Sequence, residues 1–378
     1  MDRYSNPDLT VGVGNKPRWN QPAHRRHGFH NAHRLFRRSV GLRARDVFRL
    51  TLSADPAIAR HAATKELIAR PEFSGLCLVQ NDTVLVCENA PDFPKDQPHS
   101  IQSISKLFAH LMAGRLIAAG QLDPDLPVER YLPAIGTGFR GSRLGDVLDM
   151  NVANDFSEDY HDPNADSYAE EAALGWRLAG QGRAEHSLHD FICAITSDDT
   201  TNASTTISYS SANTDLIALI IERHFPGGVL ALLEEIVDEA GFEGMLHMSV
   251  SADGVPGLCG GGRLCLSDLS RLGLRLNRVA LYDAAPWDAA YLHRAINGAH
   301  KTLPEPRSHV RYAGQMMTNG HWVGHTGYGG QVLMADPESG AACAYLSVIE
   351  NDAGYCVDYM ARTMDLMASL LDLLRTST

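Results

Sequence analysis

The chain has 378 residues, of which 44% are hydrophobic and 21% are charged, and its formal net charge is −12. This composition is typical of a soluble globular protein with about two domains. The negative charge argues against a general nucleic-acid binder. No stretch reaches the roughly 18 consecutive apolar residues of a membrane span, so we expect neither nucleic acid nor a membrane among the partners.

Residues 1–50 are basic and have no regular apolar pattern. Twin arginines occur at Arg25-Arg26 and again at Arg37-Arg38, but charged residues follow them where an export signal would have an apolar segment. We therefore expect an irregular arm that packs on the acidic remainder of the chain.

The cysteines have neither a disulfide nor a zinc-site spacing. Five of the seven lie in apolar runs and are expected to be small core residues in a reducing compartment: Cys77, Cys87, Cys193, Cys265 and Cys343. The predicted location is the cytoplasm.

Two predicted β-hairpins lie far apart in the chain. Residues 75–88 contain two β-rich runs joined at Asn81-Asp82, and two more strands flank residues 336–340. Residues 125–300 have mostly helical spacing, and an amphipathic helix is predicted near 357–374.

This order predicts an α+β fold, in which an α/β sandwich is combined with an all-α domain. An antiparallel sheet built from both ends of the chain would be covered by helices. The predicted divisions are the basic arm at 1–50, a sheet domain from 51–100 and 300–378, and an inserted helical domain at 101–299. We expect the active site at the interface between the last two.

The first chemical candidate is the pair Ser103 and Lys106, at the start of a helix predicted over 103–119 and ended by Gly120. Residues three apart lie on one face of a helix. A buried lysine that has lost its proton could therefore activate the serine, which is a weak nucleophile alone. The plainer interpretation is a helix cap beside a solvated lysine.

Two further motifs follow in the chain. Tyr209 precedes Ser210 and Ser211 before a helix pattern, where a tyrosine can relay a proton. His325-Thr326-Gly327 then leads into a strand, where small residues let a ligand approach. A buried core tyrosine and a simple glycine turn are the alternatives.

Taken in order, Ser-x-x-Lys, a loop tyrosine and a His-Thr-Gly motif resemble the serine β-lactamase and penicillin-binding-protein superfamily, particularly its class C and esterase branch. The stretches VLDMNVANDFSEDYHDP, GWR, YSSANTD and GYGGQVLMADP are similar to those of 6-aminohexanoate-dimer hydrolases, which cleave nylon oligomers. The resemblance extends from about residue 75 to the C-terminus, and more loosely through the N-terminal arm. It implies a β-lactamase/transpeptidase-like fold and hydrolysis of a linear amide or ester through an acyl-enzyme.

The resemblance also implies roles for individual residues. Ser103 would be the nucleophile, Lys106 its base and Tyr209 the proton shuttle, while the N–H groups of Ser103 and Tyr328 would form the oxyanion hole. Tyr160 would close over the substrate on a loop, and Glu171 would meet a substrate ammonium. The remaining residues expected to contact the substrate are Ser211, Cys259, His325 and Gly327.

Some residues depart from the superfamily pattern. Ser211 stands where class C β-lactamases have asparagine, and His325 stands where β-lactamases have a lysine that holds the substrate carboxylate. Both departures disfavour a β-lactamase or D,D-peptidase, which remains an alternative beside a plain carboxylesterase. A non-catalytic relative that binds an acyl or peptide ligand is the alternative outside enzymes.

Metal and cofactor sites are not predicted. Asp162-x-Asn164-x-Asp166 resembles the start of a calcium loop, but Ser167 and Ala173 replace its glycine and its closing glutamate. We expect a small-molecule amide or ester as the partner, and the sequence leaves a homodimer open.

Overall fold

The computed structural model describes residues 6–375 except 181, 183 and 282–285. Parts of the predicted divisions lie outside the described residues. They are residues 1–5 of the arm, 376–378 of the sheet domain and 282–285 of the helical stretch. The described strands are β1 (Ser39–Leu42), β2 (Thr51–Leu52), β3 (Phe73–Gln80), β4 (Thr83–Asn89), β5 (His99–Ser100), β6 (Leu246–Ser249), β7 (Gly262–Leu264), β8 (Arg311–Ala313), β9 (Met316–Thr318), β10 (Val323–Gly327), β11 (Gln331–Asp336) and β12 (Ala341–Ser347). The described α-helices are α1 (Pro22–His30), α2 (Pro56–Arg60), α3 (Ala62–Ile68), α4 (Lys106–Ala118), α5 (Leu144–Leu148), α6 (Ser167–Ala173), α7 (Leu188–Cys193), α8 (Ser211–His224), α9 (Gly228–Ala240), α10 (Leu266–Leu281), α11 (Pro286–Asn297) and α12 (Val357–Arg375).

The main sheet has eight strands in the order β2-β4-β3-β12-β11-β10-β9-β8. Both predicted hairpins are present in it, as β3–β4 and β11–β12. Antiparallel pairing of β12 with β3 joins them, with Cys343 opposite Leu78. All neighbours in this sheet are antiparallel except β2 and β4, which run parallel. The sheet is therefore built from chain segments on both sides of the helical region, as expected.

Helices cover both faces of this sheet. A Cβ at Gly273 of α10 would lie 2.7 Å from the Cβ of Ala342, so α10 packs closely on one face. Tyr345 points to the other face, where its hydroxyl lies 3.2 Å from that of Tyr359 on α12. The predicted terminal helix and the sandwich are thus confirmed.

A second sheet of four strands, β1-β6-β7-β5, includes the N-terminal segment. β1 pairs with β6, so that Leu42 lies opposite Leu246. The expectation of an irregular arm is wrong here, because residues 1–50 contain α1 and β1. Charged neighbours hide the short apolar pattern of Val40 and Leu42 in the sequence.

The predicted helix over 103–119 also needs correction. A 3₁₀ turn, Gln102–Ser105, comes first, and α4 begins only at Lys106.

Across the described part of the chain, no individual helix has the length and apolarity needed to cross a membrane; α8 and α9 meet that criterion only as a pair, and that pair is bent by 101°.

Three of the five cysteines expected in the core are buried there, namely Cys77, Cys265 and Cys343. Cys87 is exposed and Cys193 is half-buried, so the expectation is wrong for these two. Cys87 lies beyond the short stretch of β4 that β2 covers.

Candidate active site

Ser103 lies in the 3₁₀ turn between β5 and α4, and it is 9% exposed. The preceding residue, Gln102, has a φ of +47°, a left-handed conformation that is costly for a residue other than glycine. Its side-chain amide donates to Ser100 Oγ at 2.7 Å, which helps to hold the turn. Gly327 of β10 lies against this turn, since a Cβ there would be 2.7 Å from the carbonyl oxygen of Ile101.

The side chain of Lys106 is fully buried behind Ser103. Its Nζ donates to Ser103 Oγ at 3.2 Å, to Ser211 Oγ at 3.0 Å and to the carbonyl oxygen of Cys259 at 2.6 Å. The three hydrogen bonds match the three donors of an ammonium group. The Nζ also lies 5.2 Å from the centre of the Tyr209 ring. The structure therefore brings Ser103, Lys106, Tyr209 and Ser211 together.

The charge of Lys106 differs from the expectation of a neutral amine. Burial alone lowers the pKa of Lys106, but the facing Tyr209, Cys259 and Glu158 outweigh it and raise that pKa above its ordinary value. Burial also raises the pKa of Tyr209 to about 12, against the lowering effect of Lys106 and Ser103. The resting site thus holds an ammonium beside a neutral phenol.

Ser103 and Tyr328 line both cavities, and their backbone N–H groups are the candidates for an oxyanion hole. Among the described residues, no backbone or side-chain acceptor bonds to the N–H of Ser103 or of Tyr328. Tyr328 follows β10 directly, and Gly327 allows this strand to approach the 3₁₀ turn. Unpaired N–H groups of this kind can bind a developing oxyanion.

A loop carrying Glu158 and Tyr160 lies over the serine. The hydroxyl of Tyr160 donates to Glu158 Oε1 at 2.6 Å, and the other oxygen of Glu158 accepts from the backbone N–H of Ser211 at 2.7 Å. Ser211 Oγ also donates to Glu158 Oε1 at 2.9 Å. Glu158 thus connects the loop to the start of α8, where carboxylates are favoured.

Sequence reasoning did not identify Glu158 as a site residue. The available signal was its position two residues before Tyr160. Nothing in the sequence alone shows that the loop folds back onto α8.

Two cavities meet at Ser103. The first, which we call the acidic cavity, has a volume of about 40 Å³. The second, the wide cavity, has a volume of about 410 Å³. Four residues line both cavities and separate them: Ser103, Glu158, Tyr160 and Tyr328. A linear substrate whose reacting carbonyl lies at Ser103 could therefore extend in two directions.

Carboxyl groups and aromatic rings line the acidic cavity. Its wall includes Glu171, as well as Trp19 and Asn20 from the N-terminal segment, Glu158, Glu170, Trp176 and Cys259. Glu171 Oε2 lies 3.1 Å from Nε of Arg177, so its charge is partly balanced. Burial raises the pKa of Glu171, although Arg177 opposes this effect.

Glu170, Asp215 and Cys259 have potential ligand atoms within 4.8 Å of one another, all buried. Burial raises the pKa of all three, that of Asp215 to about 7. The groups would have to lose protons to bind a cation, and the ammonium of Lys106 would repel it. We interpret the cluster as a carboxyl pair that shares a proton. The available sequence signal for Asp215 was a charge inside the otherwise buried face of α8.

The wide cavity has a different chemical character. Its wall includes Tyr209, Thr326 and Gly327 near Ser103, and Leu303, Arg307, Met317 and Tyr355 further away. His325 does not line either cavity. It is buried, with Nε2 3.2 Å from the hydroxyl of Tyr312 and Nδ1 2.6 Å from the carbonyl oxygen of Thr326. Burial and the charge of Lys106 lower the pKa of His325 to about 3, so it is neutral.

Comparison with known proteins identifies the family of the chain. Residues 75–362 match the profile of the family described as Beta-lactamase. This match covers most of the chain, which therefore belongs to the beta-lactamase family.

One curated relative is the 6-aminohexanoate-dimer hydrolase of Paenarthrobacter ureafaciens, which is 28% identical over 224 residues. The match covers 57% of this chain and 55% of that protein, so the chain aligns with about half the length of this relative.

Two solved structures show the same fold. One is "Putative 6-aminohexanoate-dimer hydrolase from Bacillus anthracis", with a TM-score of 0.78, 14% identity, and coverage of 99% of this chain and 98% of that one. The other is a D-stereospecific amidohydrolase from Streptomyces sp., with a TM-score of 0.58, 16% identity, and coverage of 81% and 97%.

Proposed function

We propose that this protein is a serine hydrolase that cleaves linear amides or esters through an acyl-enzyme. The observation that carries the proposal is the 3.2 Å contact between Lys106 Nζ and Ser103 Oγ, in a buried cluster with Tyr209. The likeness to proteins named 6-aminohexanoate-dimer hydrolase and amidohydrolase supports an amide substrate.

The reacting form is the fraction of molecules in which Lys106 is neutral. Lys106 then takes the proton of Ser103 as Oγ bonds to the substrate carbonyl carbon. The N–H groups of Ser103 and Tyr328 stabilise the oxyanion, at about 3 kcal/mol for each donor. Tyr209 donates a proton to the departing nitrogen or oxygen, and water then cleaves the acyl ester by the reverse transfers.

The direct test compares wild type with Ser103→Ala on a p-nitrophenyl ester and on the 6-aminohexanoate dimer. We expect the variant to lose at least about a thousandfold in kcat on both substrates, because no other residue replaces the nucleophile. Equal activity of the two proteins would refute the proposal. Circular dichroism on both proteins checks that the variant is folded.

A second test addresses the non-catalytic alternative. A fluorophosphonate probe should label wild type at Ser103, identified by mass spectrometry, and should not label Ser103→Ala. Absence of labelling in wild type would favour a relative that binds an acyl or peptide ligand without turnover. The two free N–H groups and the Lys106 contact support the catalytic interpretation.

The β-lactamase or D,D-peptidase alternative is disfavoured at two positions, because Ser211 stands where class C β-lactamases have asparagine and the neutral His325 stands where β-lactamases have lysine. A nitrocefin assay distinguishes it. A cytoplasmic location and a possible homodimer remain predictions from the sequence, as do the absence of cofactors and the boundaries of the sheet and helical domains.

A further inference from the structure

Arg307 is an unusual residue in the wall of the wide cavity. It is 9% exposed, yet it has no carboxylate partner among the described residues. Its Nη2 donates to the hydroxyl of Tyr355 at 2.9 Å. Its Nε is buried and has no hydrogen-bond acceptor. An arginine stays charged in proteins, and a buried charge is costly unless it is paired.

Other buried arginines in the described part of the chain show the usual compensation. Arg271 pairs with Asp268 at 2.8 Å, and Arg177 pairs with Glu171 at 3.1 Å. Arg263 has no carboxylate partner, but its guanidinium lies over the ring of Phe36 at 4.5 Å and lines neither cavity. Arg307 therefore combines an unbalanced charge with access to the site at Ser103.

The position of Tyr209 shows which half of the substrate would face Arg307. Tyr209 lines the wide cavity and does not line the acidic cavity. Because Tyr209 protonates the leaving group in the proposed mechanism, the leaving half must extend into the wide cavity. His325 supplies no charge there, and the Arg307 charge is close enough to contribute to the low pKa of His325.

We propose that Arg307 binds a carboxylate on the leaving-amine half of the substrate. This inference rests on the proposed function. A guanidinium bonds a carboxylate through two parallel N–H groups, and Arg307 lies in the wall of the wide cavity, where such a pair could form. The preferred amides are then those that release an amine whose chain ends in a carboxylate. Arg307 acts as a specificity residue and takes no part in bond cleavage.

The test uses two amides that differ at one end, 6-acetamidohexanoate and N-hexylacetamide. We expect the kcat/KM of wild type to be at least about tenfold higher for 6-acetamidohexanoate than for N-hexylacetamide, because the carboxylate lowers KM. Arg307→Met should reduce this ratio to about one, and Arg307→Lys should keep part of it, because lysine retains the charge but loses the fork. Arg130→Met is the control, since it removes an exposed arginine that lines neither cavity.

Binding separates this proposal from the catalytic one. Calorimetry with Ser103→Ala measures the Kd of both amides, with and without Arg307→Met. If 6-acetamidohexanoate binds more tightly than N-hexylacetamide and Arg307→Met removes this difference, the role of Arg307 is supported. This conclusion holds even if wild type cleaves neither amide. Such a lack of cleavage would refute only the proposed function.

Equal affinity for both amides in Ser103→Ala, or the same preference after Arg307→Met, would overturn the inference. Circular dichroism verifies that Arg307→Met is folded. If that variant does not fold, Tyr355→Phe provides the second measurement. It removes the hydroxyl that holds Nη2, and it should weaken the carboxylate preference several-fold. An unchanged preference in Tyr355→Phe would then count against the proposal.

Discussion

The Nζ of Lys106 donates three hydrogen bonds inside the protein, to Ser103 Oγ, Ser211 Oγ and the carbonyl oxygen of Cys259. Burial would favour the neutral amine, but the facing Tyr209, Cys259 and Glu158 raise the pKa of Lys106 and favour the ammonium. The lysine is consequently well positioned at neutral pH but mostly in the protonated form. The reaction must draw on the small neutral fraction.

This charge state predicts an alkaline activity profile. Because the pKa of Lys106 is raised, the neutral fraction grows by up to about tenfold for each pH unit below that pKa. We expect kcat/KM for a p-nitrophenyl ester to rise between pH 6 and pH 9. Rates with Ser103→Ala provide the background correction at each pH. A profile that is already flat above pH 6 would show that Lys106 is neutral at rest.

Glu171 leads to a prediction about cationic substrates. Its carboxylate lines the acidic cavity, where the acyl half would lie, and Arg177 and Lys16 balance its charge in part. Glu171→Gln should raise KM for the 6-aminohexanoate dimer, whose acyl half carries an ammonium, by about three- to tenfold. KM for 6-acetamidohexanoate should change little. Glu234→Gln, which alters an exposed site on α9, is the matched control, and an unchanged KM for the dimer would reject the role.

At the scale of single residues, the sequence could predict those contacts that depend on local spacing along the chain. Ser103 and Lys106 are three residues apart, so their contact follows from a single helical turn. Glu158, Asp215 and Arg307 gain their roles from contacts with distant segments, such as Glu158 with Ser211 and Arg307 with Tyr355. No local pattern identifies those partners. The protonation of Lys106 was likewise hidden, because it depends on several groups at once.

Among the elements, the loop of Glu158 and Tyr160 lines both cavities beside Ser103. The Tyr160 ring lies 4.7 Å from that of Tyr328 and 5.8 Å from that of Tyr355. These contacts place the loop between the two cavities, over the expected position of the scissile bond.

Tyr160→Phe should therefore affect amides more than esters. Expelling an amine needs a well-placed proton donor, whereas an alcohol leaves more easily. We expect kcat for the 6-aminohexanoate dimer to fall about tenfold and kcat for a p-nitrophenyl ester to fall less than threefold. Tyr131→Phe removes a hydroxyl outside both cavities and serves as the control. Equal losses on both substrates would indicate an esterase without a specialised loop.

The long, strongly patterned elements could be predicted from the sequence, including both hairpins and α12. Strand β1 could not, because it has four residues and its pairing with β6 spans about two hundred positions. The 3₁₀ turn was also missed, since it depends on the strained backbone of Gln102 and on Gly327 across the site. Tertiary contacts therefore decided the elements that the sequence left uncertain.

At the scale of the whole molecule, the side chain of Arg25 connects the N-terminal segment to the region after β12. Its guanidinium donates to the carbonyl oxygens of Asn20 at 2.9 Å, Ile349 at 2.9 Å and Asn351 at 2.5 Å. Nearby Trp19 lines the acidic cavity. The segment is thus part of the folded body and of the candidate site.

Arg25→Met should lower the free energy of unfolding by about 3 kcal/mol, because it leaves buried carbonyl groups without donors. Urea denaturation followed by circular dichroism would measure the change. Arg34→Met, at an exposed position in the same segment, should change it by less than about 0.5 kcal/mol. A similar small effect for both variants would show that the segment is only loosely attached.

The pairing of β3 with β12 has a consequence for synthesis on the ribosome. These neighbours are separated by more than 250 positions in the chain. During translation β3 can pair with β4, but its other edge stays open until β12 emerges. An open edge invites pairing with other chains. Nascent molecules should therefore depend on chaperones until β12 has been synthesised.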